Sequence, residues 1–259
     1  MFKRIFLTLL LIAVVSFSCV SLWVSNHYIV PIIMYHHVNE TVEIDPMVVS
    51  DKWFRWQMEY LKKHYFDVIS LDEFVKAKLE GKKLSKKSVV ITFDDGFEDN
   101  YTYAYPILKE YGFPATIFVP SNQMGLEGQM TLTQLKEIAA DELITIGSHT
   151  REHLYLPDLQ LEEQKAEIFG SKEELERLLN VQIEHFAYPV GGFDETSKQF
   201  IKDAGYKSAS TTNRGHDRYN NDLFELNRIR FSNKDCTNDI LWMKLSGYYN
   251  VFRKLKNSH

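Results

Sequence analysis

Two neighbouring carboxylates, Asp94 and Asp95, follow a run of five apolar or β-branched residues from Val89 to Phe93. The run has the composition of a buried strand, and Gly96 ends it at the acidic pair. Adjacent carboxylates repel each other and are hard to desolvate, so a nearby cation or a catalytic role would offset that penalty. A solvated Asp-Asp-Gly turn is the alternative, because such turns are common. The pair is a candidate site that needs support from elsewhere in the chain.

Two histidines, His149 and His153, stand four residues apart after the strand-like segment 143–146 and Gly147. A single surface histidine carries little information, but two at this spacing beyond a strand end are typical of a metal site. Combined with one carboxylate of the acidic pair, they predict a site of two imidazoles and one carboxylate with a position left open for water.

The same segment also fits the pattern H-x-x-E-H of one class of zinc proteases. That hypothesis requires a helix that carries both histidines, with Glu152 as the general base. Gly147 and Pro157 limit a helix on either side. The hypothesis also leaves the acidic pair unexplained, so a protease is the weaker interpretation.

The body of the chain is predicted to alternate strands with helices. Strands are predicted at residues 29–35, 89–93, 115–119, 143–146, 183–187, 208–211 and 226–231. Helices are predicted at 53–65, 101–111, 131–140, 161–179 and 195–204, and from residues 70 and 235 onward. This alternation predicts a parallel α/β architecture, either a barrel or a doubly wound sheet.

Polar and aromatic residues of the kinds that do chemistry gather where these strands end. At the carboxyl ends of the predicted strands stand His36, Asp94, Asp95, His149, His153 and Tyr188. That edge is where α/β barrels build their active sites. The sequence therefore predicts that these residues meet at one edge of the sheet.

The N-terminus has the pattern of an export signal. Lys3 and Arg4 precede a mostly apolar run at residues 5–24, and the first acidic residue is Glu40. The run is close to the roughly 20 residues that span a bilayer, so it is either a cleaved signal peptide or a signal anchor. We favour an uncleaved anchor at residues 1–28, with residues 29–259 as the folded body outside the cytoplasmic membrane.

Charge and cysteine content narrow the function classes further. The 259 residues carry a net charge of −5, which argues against nucleic acid as a partner. Glycine-rich phosphate-binding fingerprints are absent, which argues against a nucleotide. Cys19 lies in the export segment and leaves Cys236 without a disulfide partner in the body, so stability must come from core burial.

Three segments together resemble one enzyme family. Thr92-Phe93-Asp94-Asp95-Gly96, then His149-x-x-x-His153, then Phe186-Ala187-Tyr188-Pro189-Val190-Gly191 are similar to the motifs of the polysaccharide deacetylases, also called the NodB-homology family or carbohydrate esterase family 4. The resemblance covers about residues 30–232. The opening Met34-Tyr35-His36-His37-Val38 resembles the branch that deacetylates poly-β-1,6-N-acetylglucosamine. The family fold is a distorted (β/α)7 barrel in a single domain, which agrees with the alternation above.

The resemblance implies roles for individual residues. Asp95, His149 and His153 would hold a divalent metal ion, usually Zn²⁺, and Asp94 would be the general base. The backbone N–H of Val190 would stabilise the oxyanion of the tetrahedral intermediate.

The sequence departs from the family pattern at three points. Ala187 stands where many members have the arginine that orients the base, and Arg228 or Arg230 would supply that guanidinium from the last strand. A late Leu-x-His motif with the general acid is missing, and His36 is its best replacement, either protonating the leaving nitrogen or holding substrate. Val190 replaces a tyrosine, which removes any sugar contact of that side chain.

These observations predict a metal-dependent N-deacetylase of an N-acetylglucosamine polysaccharide, with Tyr188 stacking on a sugar ring. The β-1,6-linked polymer is favoured, and peptidoglycan or chitin-like glycans are alternatives. A non-catalytic glycan-binding module on the same fold is a second hypothesis, which the missing late histidine motivates.

Overall fold

A computed structural model describes residues 10–12, 14–20, 22 and 28–258. The predicted anchor includes residues outside this set, so the anchor stays a prediction. Within the described part of the chain, no helix has both the length and the apolar character needed to cross a membrane.

The body consists of short parallel strands connected by helices. The strands are β1 (Ile32–Tyr35), β2 (His37–Asn39), β3 (Val48–Ser50), β4 (Asp67–Ile69), β5 (Ser88–Phe93), β6 (Ala115–Val119), β7 (Ile144–Ser148), β8 (His185–Ala187), β9 (Ser208–Thr211), β10 (Leu226–Asn227) and β11 (Ile229–Arg230). The helices are α1 (Asp51–Lys63), α2 (Leu71–Leu79), α3 (Tyr105–Tyr111), α4 (Leu132–Ala139), α5 (Leu161–Leu179), α6 (Glu195–Asp203), α7 (Asn238–Leu245) and α8 (Tyr249–Phe252). A π-helical turn spans Asn100–Ala104, and short 3₁₀ turns span Ser121–Gln123, Leu156–Asp158 and Pro189–Gly191.

The strands form a nearly closed barrel. The order around the sheet is β10-β9-β8-β7-β6-β5-β1-β11, all neighbours are parallel, and β4 adds to β5. β10 pairs with β9 while β11 pairs with β1, and one residue, Arg228, separates the two. The last strand therefore crosses the seam and completes a seven-position barrel among the described residues. The predicted (β/α)7 fold is confirmed.

Local signals explain where several helices begin. Ser50 and Ser70 accept hydrogen bonds from the third residue of α1 and α2, and Thr131 and Asp194 form reciprocal capping boxes at α4 and α6. The predicted strands at 115–119 and 208–211 and the helix at 161–179 agree with the structure to the residue. β2, β3 and β4 escaped prediction because each has only three residues, too few to show a period.

Arg228 fills the seam of the barrel and is completely buried. Its guanidinium donates to both carboxylate oxygens of Asp94, from Nη1 at 2.6 Å and from Nη2 at 2.7 Å. Further bonds reach the Thr211 carbonyl at 3.0 Å and the Thr92 hydroxyl at 3.2 Å. The side chain therefore joins β5 to β9 across the place where the last strand is interrupted.

We expect Arg228→Met to lower the free energy of unfolding by about 3–5 kcal/mol, because it leaves a buried carboxylate without its cation. Removing both charges is much less unfavourable, so the double variant Arg228→Met/Asp94→Asn should recover much of that loss. Urea unfolding followed by circular dichroism measures both.

The matched control is Arg55→Met. Arg55 pairs with Glu110 at the surface, where the two side chains are 47% and 55% exposed, so its loss should change stability by about 1 kcal/mol or less. If Arg55→Met destabilised the fold as much as Arg228→Met, the buried pair would have no special role.

Candidate metal and catalytic site

Asp94 and Asp95 stand where β5 ends and diverge there. The Asp94 N–H still donates to the Tyr35 carbonyl at 3.0 Å, so Asp94 continues the ladder with β1. Asp95 has φ 73°, in the left-handed region that non-glycine residues seldom adopt. This turn sends the two carboxylates to different partners. Asp94 pairs with Arg228, while Asp95 lies against His149 and His153.

The three predicted metal ligands meet at the carboxyl edge of the barrel. Asp95 Oδ1 lies 3.4 Å from His149 Nε2 and 3.1 Å from His153 Nε2, and one donor atom from each residue lies within 4.8 Å of the others. Zinc bonds of about 2.0–2.2 Å in tetrahedral geometry separate ligand atoms by about 3.3–3.6 Å. The separations from the carboxylate oxygen are close to that spacing.

The donor set fits a divalent ion by its bonding as well as its spacing. Asp95 Oδ1 is buried, and no hydrogen bond reaches it among the described residues. A buried carboxylate oxygen normally has a partner, so a cation would complete its coordination. Burial opposes ionisation of Asp95, but His149 and His153 hold the pKa of its carboxyl well below the usual range. The ligand is thus present as the anion that a metal requires.

A backbone contact sets the orientation of His149. Its Nδ1 donates to the Ala187 carbonyl at 2.6 Å, so Nε2 is the nitrogen that faces Asp95 and is available as a metal ligand. His149 is almost fully buried, whereas the side chain of His153 is 30% exposed. One ligand is therefore held rigidly by the barrel, and the other faces the open side of the site.

The segment from His149 to His153 is not helical, and both Thr150 and His153 have positive φ, 66° and 58°. Glu152 is exposed and accepts a hydrogen bond from the Asn122 amide. The protease hypothesis required a helix with Glu152 facing the metal, and it is wrong.

Glu167 on α5 holds this segment in place. Its Oε2 accepts the backbone N–H groups of Arg151 and Glu152, each at 2.9 Å, and its side chain is buried. The Thr150 hydroxyl accepts the His153 N–H at 3.0 Å. These bonds stabilise a left-handed backbone that would otherwise be unfavourable. The sequence analysis missed Glu167, because it lies on a charged helix with no local motif.

Asp94 is buried and remains ionised. Burial opposes its charge, but Arg228 in particular keeps the pKa of Asp94 below its ordinary value. The bidentate pair also fixes the plane of the carboxylate. Of the two arginines considered from the sequence, Arg228 makes this contact. Arg230 follows on β11, and its pKa is lowered mainly by burial.

His36 reaches the same centre. Its Nε2 lies 3.9 Å from Asp94 Oδ2, and its Nδ1 is buried with no hydrogen-bond partner within residues 28–258. Burial lowers the pKa of His36 to about 4, against the opposing charges of Asp94 and Asp95. The imidazole is thus neutral near pH 7 in the free protein. Of the two predicted roles, that state suits the holding of substrate better than the donation of a proton.

Tyr188 is not at the surface. Its ring is fully buried, stacks on Phe193 with centroids 4.9 Å apart, and donates its hydroxyl to the Phe224 carbonyl at 3.0 Å. No face of this ring is left for a sugar, so the predicted stacking is wrong. Val190 does lie at the rim, 57% exposed, with a left-handed backbone at φ 57°. The oxyanion role of its N–H stays a prediction.

Comparison with known proteins agrees with the motifs. A profile of the polysaccharide deacetylase family matches residues 81–209. The chain is 35% identical over 202 residues to YxkH of Bacillus subtilis, a protein named as a polysaccharide deacetylase, with 78% of this chain and 71% of that protein covered. It is 32% identical over 178 residues to a poly-β-1,6-N-acetyl-D-glucosamine N-deacetylase of Staphylococcus aureus, covering 64% of this chain and 61% of that protein.

Solved structures give the same result. The deacetylase PplD of Streptococcus pyogenes, solved with acetate, superposes with a TM-score of 0.72 at 32% identity, covering 80% of this chain and 95% of that one. IcaB of Ammonifex degensii has a TM-score of 0.74 at 23% identity, covering 84% and 97%, and shares the fold. The chain belongs to the polysaccharide deacetylase family, and its predicted class, a hydrolase of carbon–nitrogen bonds, is confirmed.

Proposed function

We propose that the protein is a zinc-dependent deacetylase that removes N-acetyl groups from an N-acetylglucosamine polymer outside the cytoplasmic membrane. The observation that carries the proposal is that a group of three metal-binding side chains stands next to a buried, ionised carboxylate. Asp95, His149 and His153 form a cation site, and a buried, arginine-paired Asp94 is adjacent to it. A metal ion bound there would polarise the acetamide carbonyl and lower the pKa of a water molecule.

Three residues of the chain supply the remaining catalytic and binding groups. Arg228 keeps the Asp94 carboxylate ionised and fixes its orientation. Asp94 takes the proton of the attacking water as general base. The backbone N–H of Val190 donates to the oxyanion that forms on the acetyl group. His36, neutral and beside Asp94, donates or accepts a hydrogen bond with the sugar. The carbon–nitrogen bond then breaks as the proton held by Asp94 passes to the leaving nitrogen, and acetate and a free amine on the polymer are the products.

The β-1,6-linked polymer is the favoured substrate. Support comes from the staphylococcal relative, which is named for that polymer, and from the opening Met34–Val38 motif. Leu154, 42% exposed and next to the ligand His153 in the chain, adds apolar surface on which the flat face of a sugar could rest. A binding module without catalysis would not require an ionised base fixed beside a cation site.

Asp94→Asn should lower the rate of acetate release from acetylated glucosamine oligomers by about 10²–10⁴-fold, because an amide cannot act as general base. Zinc content, measured by atomic emission, should be unchanged because the metal ligands remain. Glu152→Gln is the control, and it should retain activity. Wild-type protein that releases no acetate with any divalent metal would refute the enzymatic proposal.

A defined pair of oligomers tests the linkage. We expect kcat/KM for a β-1,6-linked tetramer of N-acetylglucosamine to exceed that for the β-1,4-linked tetramer by about tenfold or more, a difference of about 1.4 kcal/mol in transition-state binding. Mass spectrometry of the products measures both rates. A preference for the β-1,4 tetramer would assign the enzyme to peptidoglycan or chitin-like glycan instead.

Glu167→Ala should weaken zinc binding about 10–100-fold, the range seen when the groups that orient metal ligands are removed. Glu167→Gln keeps an acceptor oxygen for the two N–H groups and should lose less. Glu173→Ala, an exposed position on the same helix, is the matched control. Competition with a zinc-binding dye measures all three, and equal affinities would show that α5 does not position the histidines.

A further inference from the structure

A groove begins at the end of the barrel opposite the catalytic edge and continues along the last two helices. It has a volume of about 990 Å³. Phe66 precedes β4, and Lys86 and Lys87 precede β5, so this wall belongs to the amino ends of the strands. Helices α7 and α8 form the other wall. We call this surface the basal groove.

The basal groove combines exposed apolar side chains with cations. Trp242, Met243 and Phe252 are 69%, 45% and 77% exposed. The twelve residues that line the groove include four lysines or arginines and no acidic residue, although the whole chain has a net charge of −5. Large apolar side chains among cations are typical of surfaces that rest on anionic lipid, where aromatic rings favour the headgroup region.

The chain enters the folded body at this same surface. The Ile29 N–H donates to the Gly247 carbonyl at 2.8 Å, and the Tyr28 ring packs edge-on against Tyr248 with centroids 6.1 Å apart. A side chain at position 247 would collide with Tyr28, since a Cβ there would lie 2.0 Å from its ring. This contact fixes the position of Tyr28, the first residue of the described body.

The length of the connection limits the distance to the apolar segment. Three residues separate the end of the apolar run, Val24, from Tyr28, and a fully extended chain covers at most about 14 Å over the four steps between those two residues. If residues 5–24 cross the bilayer, the surface around Tyr28 must lie within that distance of the membrane.

We propose that the basal groove rests on the surface of an anionic phospholipid bilayer, with Trp242, Met243 and Phe252 in the headgroup region and Lys87 against lipid phosphates. The opposite end of the barrel, with Asp94 and the metal ligands, then points away from the membrane. β5 has six residues, so the two ends are about 20 Å apart. Glycan reaches the site from the side away from the lipid. The proposal depends on the anchor and is independent of the reaction catalysed.

The test uses the full chain in nanodiscs that contain one protein each. In a Cys19→Ser/Cys236→Ser background, a bimane label is placed at Met243→Cys or at Leu126→Cys. Leu126 is 58% exposed in the loop that follows β6, at the catalytic end. Lipids with a headgroup nitroxide should quench the label at 243 at least fivefold more than the label at 126. Equal quenching, or a chain that does not co-purify with the disc, would overturn the proposal.

A second experiment tests the contribution of lysine charge and of lipid charge. Lys87→Glu should reduce quenching at position 243 about twofold or more in discs with anionic lipid, and Lys165→Glu, an exposed lysine of α5, should not. Wild-type quenching should be weaker in zwitterionic discs. Unchanged quenching in both comparisons would refute the role of lipid phosphates. Fluorescence quenching is measured without substrate turnover. A negative quenching result can therefore be distinguished from a negative result in the deacetylase assay.

Discussion

The bidentate pair between Arg228 and Asp94 is the contact on which the rest of the structure depends. Arg228 occupies the single position between β10 and β11, so it stands where the barrel closes. Its partner is the carboxylate that ends the central strand β5. Because a buried charge must be paired, closure of the barrel and orientation of the proposed general base depend on the same contact.

Backbone strain is concentrated around the same centre. Asp95, Thr150, His153 and Val190 all have positive φ, four of the seven such non-glycine residues in the described chain. Each costs on the order of 1–3 kcal/mol and persists only where neighbours fix it. The bonds from Glu167 and from the Thr150 hydroxyl are such neighbours. The strain lets carboxylate and imidazole approach closely, which regular strand ends would not permit.

Residues that lie in short motifs could be predicted from the sequence, and those that act from a distance could not. His149 and His153 were found because their spacing after a strand is itself the signal, and the family resemblance selected Asp95 from the acidic pair. Glu167 was missed because no residue near it in the chain indicates that its carboxylate accepts two backbone N–H groups from the loop that follows β7. Tyr188 was placed wrongly although the signal existed. It stands two residues after Phe186, so both rings share a side of the strand, and that side is core.

The arginine expected in the third motif shows why a lost motif residue need not mean a lost function. At that position Ala187 contributes only its carbonyl, which orients His149. Arg228, in the last strand, supplies the guanidinium instead. In a small barrel, inward-facing side chains from every strand converge on one axis, so several strands can supply a cation to the same carboxylate. What the chemistry constrains is the pair of charges and its geometry. The strand that carries the positive partner is free to change.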